Sequence, residues 1–323
     1  MSQHNHLYLI LRMKIDFSIF YSEQIKSLAD KQFDLYISAF DGCPRTVQPF
    51  NESCAKRKVF LSFPQQEHRK AEIQLYSNDN TREDLYIQQL FKDIPIDRKT
   101  RICIDCTGFL IPHLIYIIGY LYKLGTKTIH IVYNEPEQYI NKENTIFSKT
   151  VYAPTPIHGF EAITSNIGVD EILIIETGFQ SDLIREVIRS KSKAFGRHCL
   201  IGFPSMHADM YQHNLIQLES VKNFIGSDRV EYHKAPAYDP FITANKIMEI
   251  VSSYGPSKSN IFHIAPLSTK PQAIGAALSY IALKEEYPID IIYPNSEVFY
   301  TMNTIGIHRR WLYTIELSSL RFN

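Results

Sequence analysis

The sequence predicts an α/β fold: duplicated Rossmann-like units with mostly parallel sheets and helices on both faces. Three observations carry this prediction. Short apolar runs of strand length alternate with helical patterns along the whole chain. The runs lack an apolar/polar alternation, as expected of strands buried on both faces in a parallel sheet. Matching segments recur in the same order in the two halves.

In the first half, "FDLYISAF", "KVFLSF", "EIQLYS", "RICID" and "TIHIVY" read as strands, and "TREDLYIQQLFKDI" and "FLIPHLIYIIGYLYKLG" as helices. In the second half, "DEILIIE", "HCLIGF", "VEYHKA", "NIFHIA" and "IDIIY" read as strands. Between them, "SDLIREVIRSK", "HADMYQHNLIQLESV", "DPFITANKIMEIVSSYG" and "KPQAIGAALSYIALKEE" read as helices. Asp239-Pro240 supplies a capping carboxylate before a first-turn proline. Ile247, Ile250, Val251 and Tyr254 then line one face until Gly255-Pro256 ends the helix. Near the C-terminus, Trp311, Tyr313, Ile315 and Leu317 alternate with period 2 and predict a final strand after the basic turn His308-Arg309-Arg310.

The internal match is specific. "VFLSFPQ" answers "CLIGFPS", "IHIVYNEPE" answers "IDIIYPNSE", and "ICIDCTGFLIPHLIYIIGYLYK" answers "IFHIAPLSTKPQAIGAALSYIALK", with Pro112 against Pro271. Four segments follow: an N-terminal extension over 1–32, a first Rossmann-like half over 33–139, a linker over 140–168, and a second half over 169–323 that includes the C-terminal strand. Met13 offers an alternative start for the chain. Two halves packed about a pseudo-twofold axis are the expected arrangement, either as two domains or as one continuous sheet.

Composition narrows the function. With 34 basic and 34 acidic residues among 323, no net charge draws the molecule to duplex nucleic acid or anionic membrane. The longest apolar run, "FLIPHLIYIIGYLY", falls short of the roughly 20 residues of a membrane span. Five scattered cysteines argue against a disulfide framework and for a reducing, cytoplasmic setting.

In open parallel sheets, ligands bind beyond the carboxyl ends of the strands. That rule selects Glu176, Thr177 and Gly178, Pro204-Ser205, Pro236 to Asp239, and Pro266 to Gln272 in the second half. Phe40 to Gly42, Pro64-Gln65 and Cys106 to Gly108 are their first-half counterparts. The richest of these is Ser268-Thr269-Lys270-Pro271-Gln272. A hydroxyl caps the helix, free N–H groups face the crevice, and Lys270 adds a cation where an anion would sit. Small residues (Ala273, Gly275, Ala276, Ala277) allow this helix to approach the sheet. The loop lacks the glycines of a P-loop and no GxGxxG follows any strand, so no NAD, FAD or other cofactor is predicted.

This strand, the Thr269-Lys270-Pro271 turn and the small-residue helix resemble the "GGTKPM" region of CRISPR-associated Rossmann-fold (CARF) sensor domains, with Ser268 where the family has glycine. The resemblance implies a βα sensor that binds cyclic oligoadenylates between two copies and acts in antiviral signalling. No nuclease tail of the Arg-x4-His kind accompanies it.

Other constellations give less. Cys103 and Cys106 form a CxxC whose members point to opposite faces of a strand, a structural role. No HExxH occurs, His207 and His213 are poorly spaced for one helical face, "HNH" at 4–6 lies in a terminal tail, and no metal site is predicted. His113, His130 and His263 read as satisfied core residues. Carboxylates at strand ends are the catalytic candidates, chiefly Asp239 and Glu176, with Asp41, Asp105 and the matched pair Glu137/Glu297 behind them. Asp239 is equally a helix cap. Arg309, beside Trp311, is a further ligand contact.

The predicted function is a cytosolic protein that binds a nucleotide-type anionic ligand through Thr177, Gly178, Ser205, Ser268, Thr269, Lys270, Gln272 and Arg309. A sensor or component of a bacterial antiviral signalling system fits this, with a homodimer or a protein partner as the expected assembly. Two alternatives stay open: a nucleotide or nucleoside hydrolase or transferase using strand-end carboxylates, and a non-catalytic interaction subunit of a larger complex. Whether the chain is an enzyme is undecided by its sequence.

Overall fold

The computed structural model describes residues 15–66, 73–139, 148–163, 170–225, 230–255, 260–299 and 304–320. The Met13 start and the histidines of "HNH" lie outside them. Part of the N-terminal extension is folded: β1 (Tyr21–Ile25) lies at a sheet edge, and Phe17, fully buried, donates its N–H to Asn245 Oδ1.

The first half continues with β2 (Gln32–Ala39), α1 (Pro44–Glu52), β3 (Cys54–Leu61), α2 (Glu83–Asp93), β4 (Ile102–Asp105), α3 (Ile111–Leu124) and β5 (Thr128–Glu135). The short β6 (Gln138–Tyr139) and then β7 (Ser148–Pro156) follow. The second half runs β8 (Asp170–Thr177), α4 (Ser181–Ser190), β9 (Gly196–Gly202), α5 (Ala208–Ser220), α6 (Lys222–Ile225), β10 (Val230–Ala235), α7 (Pro240–Ser253), β11 (Asn260–Pro266), α8 (Lys270–Leu283) and β12 (Ile289–Phe299). The chain closes with β13 (Thr304–Ile305) and β14 (Arg309–Glu316).

Two six-stranded sheets result, ordered β1-β14-β5-β4-β2-β3 and β10-β9-β8-β11-β12-β7. The strands of each Rossmann-like unit are parallel, and the antiparallel strands lie at the outer end: β14 and β1 in the first sheet, β7 in the second. The closing strands are exchanged. β7 follows the first half but pairs with β12, whereas β14 follows the second half but pairs with β5. Between them β6 and β13, which follow β5 and β12 respectively, pair antiparallel. The C-terminal strand therefore joins the first sheet, not the half that precedes it, and the 140–168 segment supplies an edge of the second sheet. A period-2 pattern identifies a strand without naming its partner.

"EIQLYS" is a second departure. Among its described residues only Tyr76 pairs, in a single bridge to Leu61, with Tyr76 N–H donating to Phe60 O and Ser62 N–H to Tyr76 O. Its second-half counterpart, at the same edge, is the full strand β10. Polar Asn78, Asp79 and Asn80 cut the first-half run short. Helix α1, with Pro44 in its first turn and Pro49 inside, was hidden by its prolines.

The core is shared. One cluster of buried side chains runs from β2 and β4 through α3 and α8 to β8 and β11, and the equivalent helices α3 and α8 pack on each other. Every residue of α8 from Pro271 to Leu283 is buried, which explains its apolar character all round. Each buried Leu or Ile there contributes about 1.5–3 kcal/mol. The small-residue stripe serves a helix contact: a Cβ on Gly275 would stand 2.7 Å from Pro240 O and Thr243 Cβ of α7. A smaller cluster, with Tyr36, Phe50, Phe60 and Cys103, covers the other face of the first sheet. Cys106 belongs to the shared core, so the two cysteines do face opposite ways. Among the described residues no helix is long and apolar enough to cross a membrane.

Candidate functional site

The strand-to-helix turn after β11 forms as its residues dictate. Thr269 takes an extended N-cap conformation, its hydroxyl accepts from Gln272 N–H at 3.3 Å and donates to Ala237 O, and Pro271 lies in the first turn. The helix N-terminus is directed at the first half. The titratable groups acting on the Lys270 ammonium are Cys106, Arg45 and Asp41, all beyond the ends of β2 and β4. Lys270 keeps some accessible surface and stands where the second half meets the loops after β2 and β4. Desolvation, with the repulsion of Arg45, lowers it to about 8. No carboxylate forms an ion pair with it among the described residues. Asp41 is engaged elsewhere: its Oδ1 accepts from Cys43 N–H at 2.9 Å and from Thr46 Oγ1 at 2.6 Å. Arg45 donates to Asn134 O at 3.1 Å.

Near the turn lie two buried polar groups that have no hydrogen-bond partner among the described residues. Glu176 is fully buried at the end of β8, and neither carboxylate oxygen has a hydrogen-bond partner among the described residues. Burial alone raises its pKa well above the ordinary value. Gln272, in the first turn of α8, is also fully buried, and neither amide atom has a partner among the described residues. Glu176 is in register with Leu200 on β9, and a Cβ on Gly202, two residues on, would lie 3.4 Å from Gln272 Oε1. Pleat alternation therefore puts Glu176 on the sheet face that α8 covers. Buried polar groups are normally matched, and each exception calls for a reason.

A second constellation ties the strand ends of the two halves together. Glu135, fully buried at the end of β5, accepts from Arg309 Nε at 2.9 Å and Nη2 at 2.8 Å, and from the Trp311 indole at 3.2 Å. Arg309 also donates to Met206 O at 2.9 Å, and His207 approaches Pro136 O at 2.8 Å. Trp311 stacks on Tyr238 with ring centres 4.8 Å apart. Behind this, Asp105 accepts from Tyr36 and Asn134, and Arg310 bonds Asn134 Oδ1 and Glu52. Desolvation raises Asp105 to about 6.

The residues selected from the sequence divide accordingly. Lys270 faces the first half, whereas Gln272, two residues on, and Glu176 lie fully buried on the side of α8 that faces the second sheet, and Ser268 is half-buried in the same turn. Thr177 is buried and turned inward, its hydroxyl donating to Leu200 O at 3.2 Å. Ser205 bonds His207 O at 2.5 Å. Arg309 is committed to Glu135. Asp239 caps α7, accepting from Phe241 and Ile242 N–H at 2.8 and 3.0 Å, so its carboxylate is structural. Glu137 is exposed, and the Glu297 side chain lies outside the described residues. His263 pairs with Asp290 at 2.7 Å, whereas neither ring nitrogen of His113 has a partner among the described residues, so that histidine is not the satisfied core residue expected. Sequence reasoning missed Arg45, on the proline-masked helix α1, and the buried Glu135. The polar pair Asn134-Glu135 ending an apolar strand was the available signal.

Gly178 has a steric role. A Cβ there would stand 1.9 Å from Leu267 O, and one on the corresponding first-half loop at Gly108 would stand 2.0 Å from Ala39 O. Close backbone approach at the equivalent loop of each half therefore requires glycine there. Gly178→Ala should cost about 1–3 kcal/mol, read from a denaturant midpoint. Comparison with protein-family models, curated proteins and solved structures finds no match for this chain.

Proposed function

We propose that the protein binds a nucleotide-type anionic ligand where its halves meet, with Lys270 and Arg45 meeting the phosphate charge. The observation that carries this is the desolvated Lys270 ammonium, which forms no ion pair with a carboxylate among the described residues and feels the charge of Arg45. A desolvated cation beside a second cation at a helix N-terminus favours an incoming anion, since Asp41, already bonded to Cys43 and Thr46, offsets only part of the cost. Glu176 and Gln272, fully buried on the side of α8 that faces the second sheet, lie outside this contact.

The role is that of a sensor, in keeping with the Thr269-Lys270-Pro271 resemblance and its implied place in antiviral signalling. Here two halves of one chain take the part of two copies. A second reading, a nucleotide or nucleoside hydrolase or transferase, is favoured by Glu176 alone, because an unmatched buried carboxyl is the kind of group that serves as a general acid.

Thermal unfolding with mono-, di-, tri- and cyclic oligonucleotides tests the reading. Ligand at about 100 times its dissociation constant adds roughly 2.7 kcal/mol, a shift of several degrees. The shift is expected in the wild type and absent in Lys270→Ala. Turnover lost in Glu176→Gln would select the enzyme. No shift with any nucleotide, together with a co-purifying protein, would replace both readings by an interaction subunit.

A further inference from the structure

His198 on β9 and Glu231 and His233 on β10 lie on one sheet face at the β10 edge of the second sheet, on strands other than the one that leads to Lys270. His198 is in register with Glu231, and His233 is two residues further along β10, so pleat alternation turns all three side chains the same way. His198 Nδ1 and His233 Nε2 are 2.9 Å apart, and Glu231 Oε2 is 3.7 Å from each. A triangle with these sides has a circumradius of about 2.0 Å, the length of Zn–N and Zn–O bonds. The ring of His198 is already oriented for this role. Its other nitrogen, Nε2, lies 2.7 Å from the hydroxyl of Tyr254, which follows α7. A proton held on Nε2 and donated to that oxygen frees Nδ1 as the ligand, the arrangement usual behind metal-bound histidines.

We propose that His198, Glu231 and His233 form a binding site for a divalent first-row cation of the zinc type. Two imidazoles and one carboxylate suit such a borderline ion and match neither calcium nor magnesium, which take oxygen ligands. His198 is buried, while His233 is half-buried and Glu231 exposed, so the fourth position opens to solvent and takes water. β10 is the free edge of the second sheet, and the ion clamps it to β9 through two of its own side chains.

Calorimetric titration of Zn2+ into the full chain, with Co2+ as a spectroscopic substitute, tests the site. The wild type is expected to bind one ion here, with the visible absorption of four-coordinate Co2+. His233→Ala and Glu231→Ala, at a solvent-facing edge where folding tolerates them, should each weaken this binding about tenfold or more. Zinc should raise the unfolding temperature of the wild type and leave that of His233→Ala unchanged. Equal zinc affinity in wild type and both variants, or no binding by the wild type at micromolar zinc, would overturn the proposal and leave the 2.9 Å contact as a hydrogen bond between two neutral imidazoles.

Discussion

Glu135→Ala should destabilise the protein by about 3–5 kcal/mol, the cost of removing one partner from a buried ion pair. Glu135 has no exposed surface and receives three hydrogen bonds, two from Arg309 and one from Trp311. Alanine would leave the Arg309 guanidinium with Met206 O and the faces of Tyr238 and Trp311. Those contacts do not neutralise a charge. The loss falls on the junction, because Arg309 on β14 bonds the end of β5 and the loop after β9 at once. Glu135→Met combined with Arg309→Met should recover much of the stability, since neither charge is then stranded. Denaturant midpoints of the two single variants and the double variant measure the coupling, and additive losses would contradict the pairing.

Glu176→Met should act in the opposite direction, stabilising the protein by about 1–4 kcal/mol at pH 8. The substitution replaces two unmatched oxygens by an apolar chain of similar shape. The pH dependence identifies the cause. Burial raises the folded pKa of Glu176 well above 4.5, whereas the unfolded chain ionises near that value. Below pH 4.5 both states hold the proton and no linkage operates. As pH rises above 4.5 the unfolded chain gains by ionising, and native stability is lost progressively toward the folded pKa. Methionine does not titrate, so the advantage of Glu176→Met is small at pH 4 and largest at pH 8. Unfolding curves at the two pH values give this directly, and a pH-independent difference would mean that Glu176 finds a partner.

What the sequence disclosed followed from local pattern. The strands buried in parallel ladders, such as β4, β8, β9 and β11, are short apolar runs bounded by polar residues and were found within a few residues of their ends. The Thr269 cap and the Asp239 cap were legible because capping chemistry is written in three or four adjacent residues. Exchange of β7 and β14 was not, since edge pairing is decided by strands more than a hundred residues away. For the candidate site, the position of Lys270 at a helix start could be read, but its neighbours could not. Arg45, Asp41 and Cys106 reach it only through the packing of α8 against α3, a contact between the two halves. The unmatched state of Glu176 and Gln272 likewise depends on what surrounds them in three dimensions.

The proposed site draws on both halves, so it should take one ligand per chain, with Lys270 essential to it. Isothermal titration at pH 7, below the value near 8 at which Lys270 loses its charge, measures both properties together. AMP, ATP and cyclic oligoadenylates titrated into wild type and Lys270→Ala should include one that binds the wild type at one per chain and the variant about tenfold or more weakly, as loss of a charge-assisted contact requires. Two equivalent sites per chain, or the same affinity with and without Lys270, would contradict the account.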